Sequence, residues 1–348
     1  MQYRNLGRTG VKVSPLCIGT GSFAGLSDPA FDALLGRAVD HGLNFLDTAN
    51  IYGGRGRDER KIGSAVKRLG CRDRLVLATK VEGPMDETDP NGRGISRRHI
   101  IRQCEESLRR LQTDYIDLYQ LHCSHGRQIP VDEPLRALDD LIRAGKVRYC
   151  GTSHYSAWQL MESLWVSREL GCNRFVCEQA VYHPLDRTIE RELLPFALTY
   201  GHGIILWSPL ASGFLTGKYS QSDKKTPLDT VLRDLRDKGH AEEVQRSVSQ
   251  AFRVVGVIRD IARRKDCTPA QFTLAWELAR EGITAPIVGF RNKKQLEENI
   301  GALNITVTGE DREEVDRVAR PRMAVVPYND AGGTPPLNSD WGPHRYRW

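Results

Sequence analysis

Short, unbroken apolar runs alternate with amphipathic stretches along almost the whole chain. The runs Leu16–Thr20, Asn44–Ala49, Leu75–Val81, Ile116–His122, Val147–Ser153, Arg174–Val181, Gly203–Ser208 and Ala285–Phe290 lack the strict in–out alternation of a half-exposed sheet. Strands that are apolar on both faces belong to a parallel sheet covered on both sides. Between them the period becomes helical. In Ile95–Thr113 the positions Ile100, Cys104, Leu108 and Leu111 form one buried stripe. Helix-like stretches also cover Pro29–His41, Asp58–Leu69, Glu133–Ala144, Trp158–Leu170 and Glu192–Tyr200. The sequence Thr268-Pro-Ala-Gln271 has the form of a capping box with proline at the first helical position, and predicts a helix ending near Arg280.

Eight strands, each followed by a helix, predict a single (β/α)8 TIM barrel over residues 1–348, with a doubly wound sheet as the alternative. Two segments break the pattern. Residues 1–15, with "LGRTG" at their centre, read as an N-terminal β-hairpin closing the bottom of the barrel. Residues 213–250 are polar and too long for an ordinary strand-to-helix connection. They read as a long cofactor and substrate loop after strand seven, with a short helix near Leu228–Arg236. No repeat, low-complexity segment or domain linker is visible.

Composition changes this picture little. Apolar residues make up 40% and charged residues 27% of the chain, an ordinary globular balance. The net charge of +6, from 50 basic and 44 acidic residues, is mild and dispersed, which argues against a nucleic-acid partner. No apolar run approaches the ~20 residues of a membrane span, and Met1–Gly10 lacks the apolar core of a signal segment. The eight cysteines form no C-x-x-C motif and mostly sit in apolar runs. A cytoplasmic location is the economical expectation.

Chemistry gathers where a barrel would put it, at the C-terminal ends of the strands. Those ends carry Thr20, Asp47, Lys80, His122, Ser153, Gln179, Ser208 and Arg291. Within "NFLDTANIYGG", Asp47 ends strand two and Tyr52 follows in a glycine-flanked loop; "LVLATK" and "DLYQLH" bring Lys80 and His122 to adjacent strand ends. Such a group suits proton transfer beside a carbonyl. Free tyrosine titrates near ~10, and a neighbouring ammonium stabilises the phenolate. Asp47 would hold Lys80, and His122 would hydrogen-bond the carbonyl oxygen.

At these residues the chain resembles the aldo-keto reductases, over nearly its whole length. The likeness runs from "YRNLGRTGVKVSPLCIGTG" through "FLDTANIYG", "ATK", "DLYQLH", "GTSHYSAWQL", "EQAVYHPL" and "WSPLASGFLTGKY" to "PIVGFRNKKQLEENI". It is nearest to the branch of bacterial reductases and voltage-gated potassium-channel β-subunits. The resemblance implies a catalytic tetrad of Asp47, Tyr52, Lys80 and His122, with Tyr52 as general acid in carbonyl reduction and a nicotinamide as hydride donor. It implies cofactor contacts from Gly19, Thr20, Ser153, His154 and Gln179, with Trp207 stacked on the nicotinamide ring. Ser208, Leu210, Ser212, Gly213 and Lys218 would wrap the pyrophosphate. Gly289, Arg291, Gln295, Glu298 and Asn299 would hold the adenosine end. The cations of "GFRNKK" open a helix, a setting that favours the 2′-phosphate, so NADPH/NADP+ is expected rather than NADH.

Three positions depart from the family pattern. His154 stands where asparagine usually follows the serine of strand five, and His125 where an acid often stands. Gly21-Ser22-Phe23 replaces a first loop that carries tryptophan in many relatives. Phe23, His125 and Tyr155 are the expected substrate-pocket residues.

Blander readings fall away in turn. "IGTGSFAG" matches a dinucleotide fingerprint, but no helix-period segment begins before about Asp28. His122 and His125 lack further ligands at metal spacing. Cys123 should point away from His122 on an alternating strand. Trp158, Trp165 and Trp276 read as helix packing. The expected partner is a small-molecule carbonyl, with no nucleic acid and no membrane; a homo-oligomer stays open. The alternative is a cofactor-binding regulatory or scaffold subunit with a redox-sensing role.

Overall fold

The computed structural model describes residues 1–23, 25–123 and 129–328. After a short hairpin, β1 (Arg4–Asn5) with β2 (Lys12–Val13), come eight barrel strands. They are β3 (Cys17–Gly19), β4 (Phe45–Asp47), β5 (Val76–Val81), β6 (Ile116–Leu121), β7 (Val147–Ser153), β8 (Cys177–Val181), β9 (Gly203–Trp207) and β10 (Ile283–Val288). Neighbours pair in parallel and in sequence order, and β10 returns to pair with β3. A ring closed in this way excludes the doubly wound alternative.

The predicted helices form: α1 (Asp28–Asp40), α2 (Arg57–Leu69), α3 (Arg97–Leu111), α4 (Asp132–Arg143), α5 (Ala157–Leu170) and α6 (Leu193–Tyr200). Because α1 starts only at Asp28, the glycine-rich "IGTGSFAG" segment at the end of β3 opens no α-helix. In α3 the expected stripe of Ile100, Cys104, Leu108 and Leu111 is buried, and Ser96 caps the first turn. Between β9 and β10 lie α7 (Ala241–Arg264) and α8 (Pro269–Leu278), followed after β10 by α9 (Lys293–Gly301) and α10 (Gly309–Val318). Thr268 and Gln271 make the capping box that starts α8.

The polar stretch after β9 is shorter than 213–250. It holds short helices at Leu228–Val231 and Arg233–Asp237, but α7 begins at Ala241. The first turns of α7, "AEEVQRSVSQ", bury only Val244 fully; the dense stripe of Ala251, Val254, Val255, Ile258, Ile261 and Ala262 comes later. A polar helix start looks like a loop when read by hydrophobic period alone. The tryptophans divide as well. Trp276 is buried and stacks on Tyr182, whereas Trp158 and Trp165 are exposed on the outer side of α5.

Inside the barrel the two ends differ in kind. At the bottom, Leu6 and Val13 of the hairpin join Cys17, Phe45, Val76, Ala78, Leu118, Cys177, Ile205 and Ala285 in one buried apolar cluster. Gly7 permits this closure. Its φ is +55°, and a Cβ there would lie 2.3 Å from the Val176 carbonyl oxygen. Arg4 ties the hairpin to the wall through the carbonyls of Ile283 (2.8 Å) and Leu278 (3.0 Å). One layer above, the inward positions turn polar.

Candidate active site

Alternation along the strands decides which side chains enter the barrel. On β6, Leu118 faces inward at the lower layer, so Gln120 shares its side and His122 follows just past the strand. On β5 the same step leads from Ala78 to Lys80, and on β8 from Cys177 to Gln179. On β4 the step from Phe45 leads to Asp47, the last residue of the strand. The upper layer is therefore built from Asp47, Lys80, Gln120 and Gln179, all buried.

Lys80 is completely buried and uses all three of its donors. It reaches Asp47 Oδ2 at 2.5 Å, the Thr48 carbonyl at 2.9 Å and Tyr52 Oη at 3.5 Å. Burial works against its charge, but Asp47 and then Tyr52 outweigh that, and the ammonium titrates above the ordinary lysine value. The other Asp47 oxygen accepts from Gln120 Nε2 at 3.0 Å and Gln179 Nε2 at 3.1 Å. A buried ion pair is tolerable when its remaining lone pairs are satisfied in this way.

Tyr52 is half-buried at the start of a helical turn, Tyr52–Arg55, which bends through Gly53 and Gly54 at φ +67° and +85°. A Cβ on Gly53 would fall 2.2 Å from Asp58 Oδ1, so the turn and α2 meet only with glycine there. The Lys80 ammonium sits 4.9 Å from the Tyr52 ring centre. The His122 ring meets Tyr52 edge-on, with centres 5.7 Å apart. Burial, with Lys80 nearby, pushes His122 down to about 3 and keeps its imidazole neutral near pH 7. The four residues singled out from sequence thus form one contiguous group: an acid fixing an amine, the amine touching a phenol, and a neutral imidazole beside it.

The other expected residues form a rim. Ser153 donates to the Gln179 carbonyl at 2.9 Å. His154 has a left-handed backbone, φ +60°, and its ring lies 5.2 Å from that of Trp207. Burial and Lys80 lower His154 to about 4. Gly19 lies against Ile287, and the Thr20 hydroxyl and the Trp207 indole N–H are buried without hydrogen-bond partners among the described residues. Beyond Leu210, residues Ala211, Ser212 and Gly213 all have positive φ, and Ser208 Oγ accepts the Ser212 N–H at 3.0 Å. Such a run of backbone amides makes an anion-binding concavity. Lys218 stands beside it: a Cβ on Gly213 would come within 3.4 Å of its Nζ.

At the start of α9, Asn292 caps the first turn and Gln295 accepts the Arg291 N–H at 2.8 Å. Asn299 donates to the Gly289 carbonyl at 3.2 Å. Arg291 is exposed and makes no ion pair among the described residues, and Glu298 is half-buried. Two expected pocket residues are packed into the structure. Phe23 lies edge-on to Phe31 and Phe290, with centres 4.9 and 5.1 Å apart, and Tyr155 is buried near Phe175. His125 lies outside the described residues.

Sequence reading passed over Gln120 and Glu178. The signal for Gln120 was available: a polar residue two before His122 in an apolar strand faces the same way. Glu178 is fully buried yet adjoins an inward-facing glutamine, and nothing in the local pattern marks it.

A closed eight-stranded barrel with a tethered lysine–tyrosine pair at the C-terminal mouth defines an oxidoreductase of a recognisable kind. The chain belongs to the aldo/keto reductase family, whose model matches residues 15–320. Among similar proteins is an uncharacterized oxidoreductase, YrpG, of Bacillus subtilis (strain 168). It is 38% identical over 321 residues, covering 89% of this chain and 93% of that protein. A probable voltage-gated potassium channel subunit beta of Arabidopsis thaliana is 35% identical over 315 residues, covering 88% and 92%. No helix among the described residues is long and apolar enough to cross a membrane.

Proposed function

We propose that the protein reduces an aldehyde or ketone to an alcohol at the expense of NADPH, with Tyr52 as the proton donor. The observation that carries this reading is Lys80, wholly buried and held against Asp47 at 2.5 Å and Tyr52 at 3.5 Å. An ammonium so placed stabilises negative charge on the phenol oxygen when its proton leaves. Gln120 and Gln179 hold Asp47, which keeps Lys80 in place. The neutral imidazole of His122 can donate one N–H to the carbonyl oxygen and orient it beside Tyr52 Oη.

The rim fits a nicotinamide nucleotide. Three separate points supply polar and cationic contacts: the unspent donors of Thr20 and Trp207, the amide concavity at 211–213 with Lys218, and Arg291 before α9, unpaired among the described residues. When bound, the nucleotide supplies hydride to the carbonyl carbon; Tyr52 supplies the proton to the oxygen, and the product is the alcohol. The cations at Arg291, Lys293 and Lys294 support NADPH over NADH. Free cysteines, five of them buried, support a cytoplasmic location.

The test is NADPH oxidation followed at the nicotinamide absorbance with a panel of carbonyls, and again with NADH. Tyr52→Phe should lower kcat by about 10²–10⁴, the usual worth of a positioned acid, while NADPH still binds. Full activity in that variant defeats the mechanism. No turnover on any carbonyl, with stable capture of a protein partner, would favour the regulatory-subunit reading instead.

A further inference from the structure

Among the described residues next to the site, Glu178 is a buried carboxyl that the mechanism above leaves without a task. It sits on β8 in register with Thr152 of β7, between two inward-facing residues, and therefore points to the outer side of the barrel wall. Its side chain is fully buried. Oε2 is bonded to the Thr152 hydroxyl, and Oε1 accepts the backbone N–H of Tyr155 at 3.0 Å. Both contacts flank the left-handed residue His154. A non-glycine residue in that conformation costs energy and persists only where its surroundings hold it. The His154 ring, held in this way, rests 5.2 Å from Trp207.

We propose that Glu178 is a positioning residue for the nicotinamide end of the site: it clamps the turn at His154 and so sets His154 against Trp207. This rests on the reading that a nicotinamide nucleotide binds there. Burial raises the Glu178 carboxyl to about 8, so near neutrality it carries its proton. In that state the O–H can donate to Thr152 Oγ1, whose own hydrogen then turns to the Cys177 carbonyl at 3.4 Å, and Oε1 stays free to accept the Tyr155 amide. Glutamine reproduces this arrangement, with an N–H in place of the O–H. Alanine abolishes it and orphans a buried amide.

Two measurements test the assignment. NADPH titration and steady-state kinetics on Glu178→Ala should show Kd and KM for NADPH raised about tenfold, the order expected for one orphaned buried amide, with kcat per folded molecule changed less than threefold. Glu178→Gln should recover most of that loss, which a merely destabilising change would not do in this split pattern. If Glu178→Ala does not accumulate as folded protein, Thr152→Val carries the same test with a rise of about threefold. Crystal structures of the ligand-free parent and Glu178→Ala form the second arm. The φ of His154 should be positive in the parent and negative in the variant. Parental NADPH affinity in the alanine variant, or a His154 turn that stays left-handed without the carboxyl, overturns the proposal. A parent that binds no nicotinamide nucleotide defeats the functional reading, and His154 φ then decides the clamp by itself.

Discussion

The two ends of the barrel are lined by the same strands, one turn of the pleat apart, yet they solve opposite problems. The lower layer, from Phe45 and Leu118 to the hairpin's Leu6 and Val13, contains nothing that needs a hydrogen bond. The upper layer, two residues further along each strand, buries a carboxylate, an ammonium and two amides, and satisfies them through one another, with the Thr48 carbonyl and Tyr52 taking the remaining Lys80 donors. The lower end can be changed one side chain at a time. The upper end is a unit in which each member is the condition for the next.

Cutting into each end separates these roles. The largest effect is expected at the top, where Lys80→Met should abolish measurable turnover and also destabilise the fold by about 3–5 kcal/mol, because Asp47 is left buried and unpaired. Carbonyl assays together with urea unfolding would check both losses. At the bottom, Phe45→Ala should cost a comparable amount, about 3–5 kcal/mol, read as a lower urea midpoint at unchanged slope. Its kcat per folded molecule should stay close to the parent's. If Phe45→Ala slows turnover as severely as Lys80→Met, the two ends are coupled and the comparison fails.

A smaller effect sharpens the contrast between partnered and unpartnered charge. Glu277 on α8 is as buried as Asp47, but neither of its oxygens has a hydrogen-bond partner among the described residues. Burial alone raises its carboxyl well above the ordinary glutamate value. The folded state therefore binds more protons than the unfolded one above about pH 4.5. Stability attributable to this group is present below that pH and is lost as pH rises toward the folded value. Glu277→Met, of similar length, should stabilise the protein by about 1–3 kcal/mol at pH 7. The gain should narrow as pH falls toward about 4.5, which thermal melts at several pH values would show. An equal gain at every pH would mean that Glu277 does not titrate differently in the two states.

Much of this was legible in the sequence because parallel-barrel strands announce themselves as unbroken apolar runs. The strand from Ile116 is found at once, and its terminal His122 with it. What escaped were features defined by pairing in space. Gln120 shows in the sequence only as a polar position on the His122 side of its strand; its task becomes visible when Asp47 appears 3.0 Å away. Closure of β10 on β3 is a long-range event that no local pattern encodes, so a doubly wound sheet survived until the barrel was seen. The start of α7 escaped because its first turns are polar, and its stripe reveals itself only beyond Gln250. Trp158 and Trp165 look like packing residues in the sequence because a buried stripe is recognised only against a polar side. Apolar residues surround much of the circumference of α5, which hides the side that faces water.

The full occupation of Lys80 has a consequence for proton traffic. With its three hydrogens committed to Asp47, Thr48 and Tyr52, and Asp47 in turn ringed by Lys80, Gln120 and Gln179, the ammonium is held in one orientation, and its raised titration keeps it charged. It is a standing charge beside the phenol. Under the mechanism proposed above, the proton that Tyr52 gives up would return from the C-terminal mouth of the barrel, so recharging the acid and clearing the product would share a single doorway.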